Sequence, residues 1–177
     1  MFLGSEIIEK EYKEFESNRN FLVRRLKQEI VDLDDYSEES FAIWPLEFRP
    51  EKIRFEYTPL SPSIWEGIKS VFEISFSVEY PFKPPRLSCL SKTIHPNISE
   101  DGKVCLSIVK EDWSPSYTMR HILLGVSSLF YHPQLDDPLN SRAASLMLND
   151  IENFKKLIKL ADWDNQSHPL EILLQYT

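Results

Sequence analysis

Leu22, Leu26, Ile30 and Leu33 recur at three- and four-residue spacing, which lines them along one face of a helix. The same phase runs back through Phe15, Tyr12 and Ile8, so a single helix over residues 5–33 is one reading. Ser17 and Asn18 suit a helix N-cap equally well, because short polar side chains accept bonds from unpartnered first-turn amides. The division adopted is an N-terminal arm over residues 1–16, a core domain over 17–162 and a C-terminal extension over 163–177. Between residues 41 and 90 the period falls to two. Ile53-Arg54-Phe55-Glu56-Tyr57 and the run from Val71 to Val78 alternate apolar with polar side chains, predicting strands with one buried face. Thr58-Pro59-Leu60-Ser61-Pro62 punctuates them, giving a meander of about four antiparallel strands. Tyr80-Pro81-Phe82-Lys83-Pro84-Pro85 cannot be helix interior, since proline lacks the amide donor and crowds the preceding turn; it predicts a stiff turn.

Residues 91–117 follow neither period, and an irregular stretch of that length inside a small domain is commonly functional. Beyond it, Thr118 predicts the N-cap of a helix burying Met119, Ile122, Leu123, Val126, Leu129 and Phe130. Asn140 and Asp150 predict caps for two further helices, and Ser167 before Pro169 predicts a short last one. Helix, sheet, irregular loop, then helices is an α+β plan.

Composition narrows the function. A net charge of −8 disfavours a protein that tracks nucleic-acid phosphates, which needs clustered Lys and Arg. The acid is concentrated early, with eleven Asp and Glu against six Lys and Arg in residues 1–40. That segment reads as a solvated face, or as a surface for a basic partner. The longest uncharged stretch, residues 121–135, is too short and too interrupted for a membrane span. Two cysteines, Cys89 and Cys105, do not make a disulfide scaffold, and no secretory leader opens the chain. A reducing compartment, cytoplasm or nucleus, is expected.

The candidate chemistry lies in the irregular stretch. A cysteine between Val104 and Leu106 is by itself more often a small core residue than a nucleophile. Cys105 differs in sitting in a loop, after an Asp101-Gly102 turn that lets backbone approach a ligand closely. His95 reads either as a structural histidine or as the base of a Cys–His pair, as in a thiol protease, with His121 and His132 as other candidates for that base. Asn97 reads as a turn residue beside Pro96, and Asp136-Asp137-Pro138 as a helix entry. The spacing of two cysteines and four scattered histidines predicts no metal site, and no glycine-rich phosphate cradle is present.

Taken together these residues resemble the ubiquitin-conjugating enzymes. The likeness spans residues 24–161 and consists of His95-Pro96-Asn97, Cys105 eight residues after that Asn, Trp113 eight residues after the Cys, and Asp137-Pro138-Leu139. Tyr80-Pro81-Phe82-Lys83-Pro84-Pro85 matches the family's proline-rich turn, and Trp65-Glu66-Gly67 with Phe72 its second hairpin. The resemblance implies the ubiquitin-conjugating fold and an acyl transfer without cofactor. Cys105 would accept a ubiquitin-like modifier as a thioester from an activating enzyme, which spends ATP, and pass it to a substrate lysine. Asn97 would donate its amide to the oxyanion, and Asp137, or less favourably Asp136, would orient and deprotonate the lysine. His95, Leu139 and Trp113 would support the loops. Arg24, Arg25, Phe82, Pro115 and Ser116 would meet the activating enzyme or a RING-type ligase.

Cys105-Leu106-Ser107-Ile108-Val109-Lys110-Glu111-Asp112-Trp113 is similar to the neddylation branch's Cys-Leu-Asn-Ile-Leu-Arg-Glu-Asp-Trp, as is Asp137-Pro138-Leu139-Asn140 followed by Ala143-Ala144. That branch conjugates the Nedd-type modifier to cullins, and its N-terminal arm docks on partners, a role that would fall here to Met1, Phe2 and Leu3. Against this, Phe82 stands where ubiquitin-type members often carry Phe and well-known neddylation members carry His. Gln134-Leu135 replaces the usual Asn-Pro, and residues 34–49 have no counterpart. The alternatives are the same chemistry with ubiquitin, or a non-catalytic modifier-binding adaptor, which would typically lack the cysteine.

Overall fold

Alternation in the middle third becomes a four-stranded antiparallel sheet in the order β1-β2-β3-β4, formed by β1 (Phe41–Pro45), β2 (Lys52–Tyr57), β3 (Ser70–Ser75) and β4 (Arg86–Cys89). The structure is a computed structural model and describes residues 3–34, 41–45 and 51–167, with side chains over 16–33, 41–43 and 51–162. Phe55 stands opposite Ile43 on one side and Phe72 on the other, so the apolar faces of three strands coincide. β1 lies within the stretch for which the sequence offered no counterpart. The other face is not simply solvated: Arg54 and Glu73 pair across β2 and β3, are both buried, and bond at 3.0 Å, while Lys52 reaches Glu73 at 2.7 Å. Burial opposes ionisation of Glu73, but the bonds from Lys52 and Arg54 outweigh it and hold its pKa below the ordinary value.

α1 (Leu3–Asp34) contributes Leu22, Leu26 and Leu33 to the core, as its spacing predicted. It runs unbroken through Ser17 and Asn18, which therefore cap nothing, so the expected arm is helical from Leu3 onward. Ser and Asn cost a helix interior only tenths of a kcal/mol relative to better formers, roughly 0.5 each, too little to break a long periodic stretch. Thr118 does cap α2 (Met119–Tyr131), sharing a capping box with His121, and α2 buries all six of its expected apolar residues. Asn140 caps α3 (Ser141–Asn149), accepting from Ala143 N–H at 2.9 Å. Asp150 precedes α4 (Ile151–Ser167) and accepts from Asn153 N–H at 3.1 Å. Ser167, expected to open another helix, instead ends α4, consistent with a helix stopping before the residue that precedes a proline. Among the described residues no helix is long and apolar enough to cross a membrane.

The core joins sheet to helices through aromatic rings. Phe55 stacks on Phe72 at 5.2 Å, Phe130 of α2 meets Tyr57 edge-on at 5.2 Å, and Trp65 meets Phe130 at 5.5 Å. Trp65 then stacks on His95 at 4.5 Å, which carries the core directly to the irregular stretch.

Candidate active site

His95 is the inner end of the site. Its Nδ1 accepts the Asn97 N–H at 2.9 Å, which leaves the proton on Nε2, 3.1 Å from the Leu129 carbonyl it donates to. Both ring nitrogens are thereby used, and burial pushes the pKa down to about 4. This neutral, fully bonded ring is not the base of a Cys–His pair.

Asn97, only 1 % exposed, clamps the loop ahead of α3. Its Oδ1 accepts from Gln134 N–H at 2.9 Å and its Nδ2 donates to Gln134 O at 2.7 Å. Both bonds go to backbone, so the side chain at position 134 is irrelevant to them, and Gln in place of the usual Asn leaves the clamp intact. Six residues on, Asn140 N–H donates to Pro96 O at 2.9 Å. The segment 134–140 is thus fastened at both ends to His95-Pro96-Asn97, and Asp136, Asp137 and Leu139 are exposed between the fastenings.

Cys105 is tied to the same frame, donating its N–H to Asn97 O at 2.9 Å. Its neighbours Val104 and Leu106 are buried while Cys105 is half-buried, so the turn is anchored on both sides of a reachable thiol. Gly125 of α2 lets Leu106 and Ile108 lie against that helix; a Cβ there would stand 3.0–3.2 Å from their methyl groups. The Asp-Gly turn corrects its expected use. Gly102 has φ +79°, and a Cβ on it would collide with the Cys89 carbonyl oxygen. The close approach it permits is to β4, through a Cys89 N–H to Gly102 O bond of 2.8 Å, and not to a ligand.

The two thiols differ in kind. Cys89 is 3 % exposed and burial pushes its pKa up to about 11, so it stays protonated and shut away. Cys105 Sγ lies 3.5 Å from Lys110 Nζ and has no histidine bonded to it among the described residues. Lys110 follows a 3₁₀ turn, Ser107–Val109, and stands five residues after the cysteine. His121 is occupied by the α2 cap, with Nδ1 at 3.2 Å from Thr118 N.

A second cluster organises the residues assigned to partners. Phe82 is 77 % exposed, and Pro115, Ser116 and Arg24 are exposed as well. Trp113 Nε1 donates to Pro81 O at 2.8 Å, binding the loop of Phe82 to that of Pro115. Beneath them is Glu29, 4 % exposed, which sequence reading missed. Its carboxylate accepts from Arg25 Nε at 2.6 Å, Tyr80 OH at 2.9 Å and Met119 N–H at 2.8 Å. Burial, reinforced by that carboxylate, raises the Tyr80 pKa and keeps its phenol a donor. Arg25 is spent internally, also donating to Tyr117 O at 3.3 Å. The only sequence hint of this node was the four-residue spacing of Arg25 and Glu29. Met1 and Phe2, and the side chain of Leu3, lie outside the described residues. Among the described residues no three His, Cys, Asp or Glu are grouped to hold a metal.

The chain is 34 % identical over 137 residues to "NEDD8-conjugating enzyme ubc12" of Schizosaccharomyces pombe, covering 77 % of this chain and 76 % of that one. It is 42 % identical over 89 residues to "NEDD8-conjugating enzyme UBC12" of Saccharomyces cerevisiae, covering 50 % of this chain and 47 % of that relative, about half its length. A solved structure titled "Novel Ubiquitin-Conjugating Enzyme" superposes with a TM-score of 0.72 at 25 % identity, covering 77 % of this chain and 91 % of the other. With the family model "Ubiquitin-conjugating enzyme" matching residues 25–162, which hold the whole His95–Cys105–Asp137 frame, the chain belongs to the ubiquitin-conjugating enzymes.

Proposed function

We propose that the chain carries NEDD8 on Cys105 and transfers it to a cullin lysine with a RING-type ligase. Family membership supplies the partner classes, a ubiquitin-like modifier, its activating enzyme and a ligase. The names of the two fungal relatives support the NEDD8 identity. A single observation carries the chemistry: of two thiols, Cys89 is sealed in the core and Cys105 stands half-exposed on a turn bonded to Asn97. Thiolate attack on the activating enzyme's thioester exchanges one sulfur for another. A lysine amine then attacks the acyl carbon, the C–S bond breaks, and Cys105 leaves as thiolate while an isopeptide bond forms. Asn97 has one Nδ2 hydrogen committed to Gln134 and a second for the oxyanion. Asp137, held exposed on the fastened loop, receives the incoming ammonium. Phe82 and Pro115 form the ligase platform, and the protein works in cytoplasm or nucleus.

The test is to incubate the protein with ATP and each activating enzyme–modifier pair separately and to run non-reducing gels. A thiol-sensitive band with the NEDD8 pair, abolished in Cys105→Ala, is expected. The exposed Phe82 favours ubiquitin as the second reading, and a band with the ubiquitin pair alone would establish that one instead.

A further inference from the structure

α3 and α4, with the loop segments 91–94 and 99–100, enclose an open cavity of about 560 Å³. That volume falls within the range of ligand sites, roughly 300–1,000 Å³. Its apolar lining is Ile94, Ala143, Leu146, Leu157, Leu160 and Ala161. Leu160 is 61 % exposed, so a large apolar side chain on the cavity wall is left facing water. We propose that residues 168–177, which lie outside the described residues, fold back from α4 and seat their apolar side chains in this cavity.

Reach, composition and tethering select this occupant. α4 gives Leu157, Leu160 and Ala161 to the lining and ends at Ser167. From Ala161 to Ser167 a helix advances about 9 Å. Three extended residues span about 10 Å, so Leu170 can return to the level of Ala161, and Ile172 to that of Leu157. Pro169 has no amide with which to prolong α4 and favours a reversal there. Beyond it, Leu170, Ile172 and Leu174 alternate, so an extended run turns all three to one side. Glu171 is the only Asp, Glu, Lys or Arg from 168 to 177, and the cavity's charged lining is Lys92, Arg142 and Glu100, cationic on balance. A segment tethered this closely acts at an effective concentration on the order of mM. Even weak docking therefore fills the cavity ahead of a partner in dilute solution.

The seat adjoins the active-site frame without being part of it. Asn140 and Ala143, the N-cap of α3 and the amide it holds, both line the cavity. Asn140 also fastens the end of the Asp137 loop to Pro96 O. A tail packed against them braces that fastening through α3. The docking is independent of which modifier Cys105 carries.

Thiol labelling from both sides of the contact tests this in the full chain, with iodoacetamide as the probe and peptide mapping to separate each new thiol from Cys105. Leu160→Cys should react at least tenfold more slowly beside the native tail than beside Ile172→Asp/Leu174→Asp, two changes outside the core. Ile172→Cys should react at least tenfold more slowly in the protein than in a synthetic peptide of residues 168–177 with the same change. Adding Leu160→Asp, at an exposed position, should bring it to the peptide's rate. Equal labelling of Leu160→Cys beside both tails overturns the proposal. So does an Ile172→Cys rate matching the peptide's, or a slow rate that Leu160→Asp leaves unchanged, which would seat the tail elsewhere. Labelling that quickens on tenfold dilution would assign the cavity to the tail of a second copy and overturn it equally. Should Leu160→Asp not fold, the Leu160→Cys pair decides alone.

Discussion

Acidification should destabilise the protein through His95, by an amount the structure sets. In the folded protein the imidazole pKa is about 4, because the ring is buried with Nδ1 already accepting from Asn97 N–H. A proton on Nδ1 would face that donor and place a charge against Trp65 and Phe130 in the core. In the unfolded chain the pKa returns to about 6.5. The folded value is the depressed one, so the unfolded state binds the extra proton: stability is complete above about pH 6.5, falls as pH drops through the window, and levels off below about 4. The full difference is about 3 kcal/mol, of which about 2 kcal/mol is lost between pH 7 and 5. Most carboxylates stay ionised in that range, so subtracting the profile of His95→Gln isolates the imidazole. Urea unfolding followed by tryptophan fluorescence at pH 7, 6 and 5 measures both. The variant should be less stable throughout, with a profile flatter by about 2 kcal/mol. Coincident slopes would refute the reasoning. If the variant does not fold, the wild-type ring signals decide alone: titration of His95 near 6.5 in the folded protein would refute it equally.

Thiol labelling of the native protein with iodoacetamide, read by peptide mass, should modify Cys105 and spare Cys89 until denaturant is added; early labelling of Cys89 would contradict its burial. Asn97→Ala should charge normally but discharge to free lysine roughly a hundredfold more slowly or worse, and equal loss in both steps would count against an oxyanion role. Asp137→Ala should slow discharge more at low pH than at high, and a defect unchanged across pH would remove it from lysine deprotonation. Glu29→Ala strips a buried acceptor from three donors and should cost about 2–4 kcal/mol in urea unfolding; a change of less than about 1 kcal/mol would mean water replaces the carboxylate there.

What the sequence disclosed depended on how local each cause is. Ile53, Phe55 and Tyr57 declare a strand because every second residue must face the same core, and Thr118 declares a helix start because the cap bonds lie within one turn. The His-Pro-Asn, cysteine and Asp-Pro-Leu landmarks were legible as a set because their spacings are fixed by one frame. Glu29 was hidden for the opposite reason. A charged residue on a helix reads as solvated, and the partners that bury it lie 51 and 90 residues away, at Tyr80 and Met119. Arg54 and Glu73 were read as the wet face of their strands because only the register brings them together. At Gln134 the chain departs from the family by a side chain the clamp never touches, and at Gly102 the turn was visible but its neighbour, the Cys89 carbonyl, was not.

These hidden contacts determine how the site behaves. Trp65, His95, Asn97 and Gln134 form one continuous path from the aromatic core to the loop of Asp136 and Asp137, each link a ring contact or bonds of 2.7–2.9 Å. Cys105 hangs on the same path through the Asn97 carbonyl. A site so fastened has little freedom to move its own groups toward a substrate. The moving parts are therefore the tethers: the modifier's C-terminal tail and the incoming lysine.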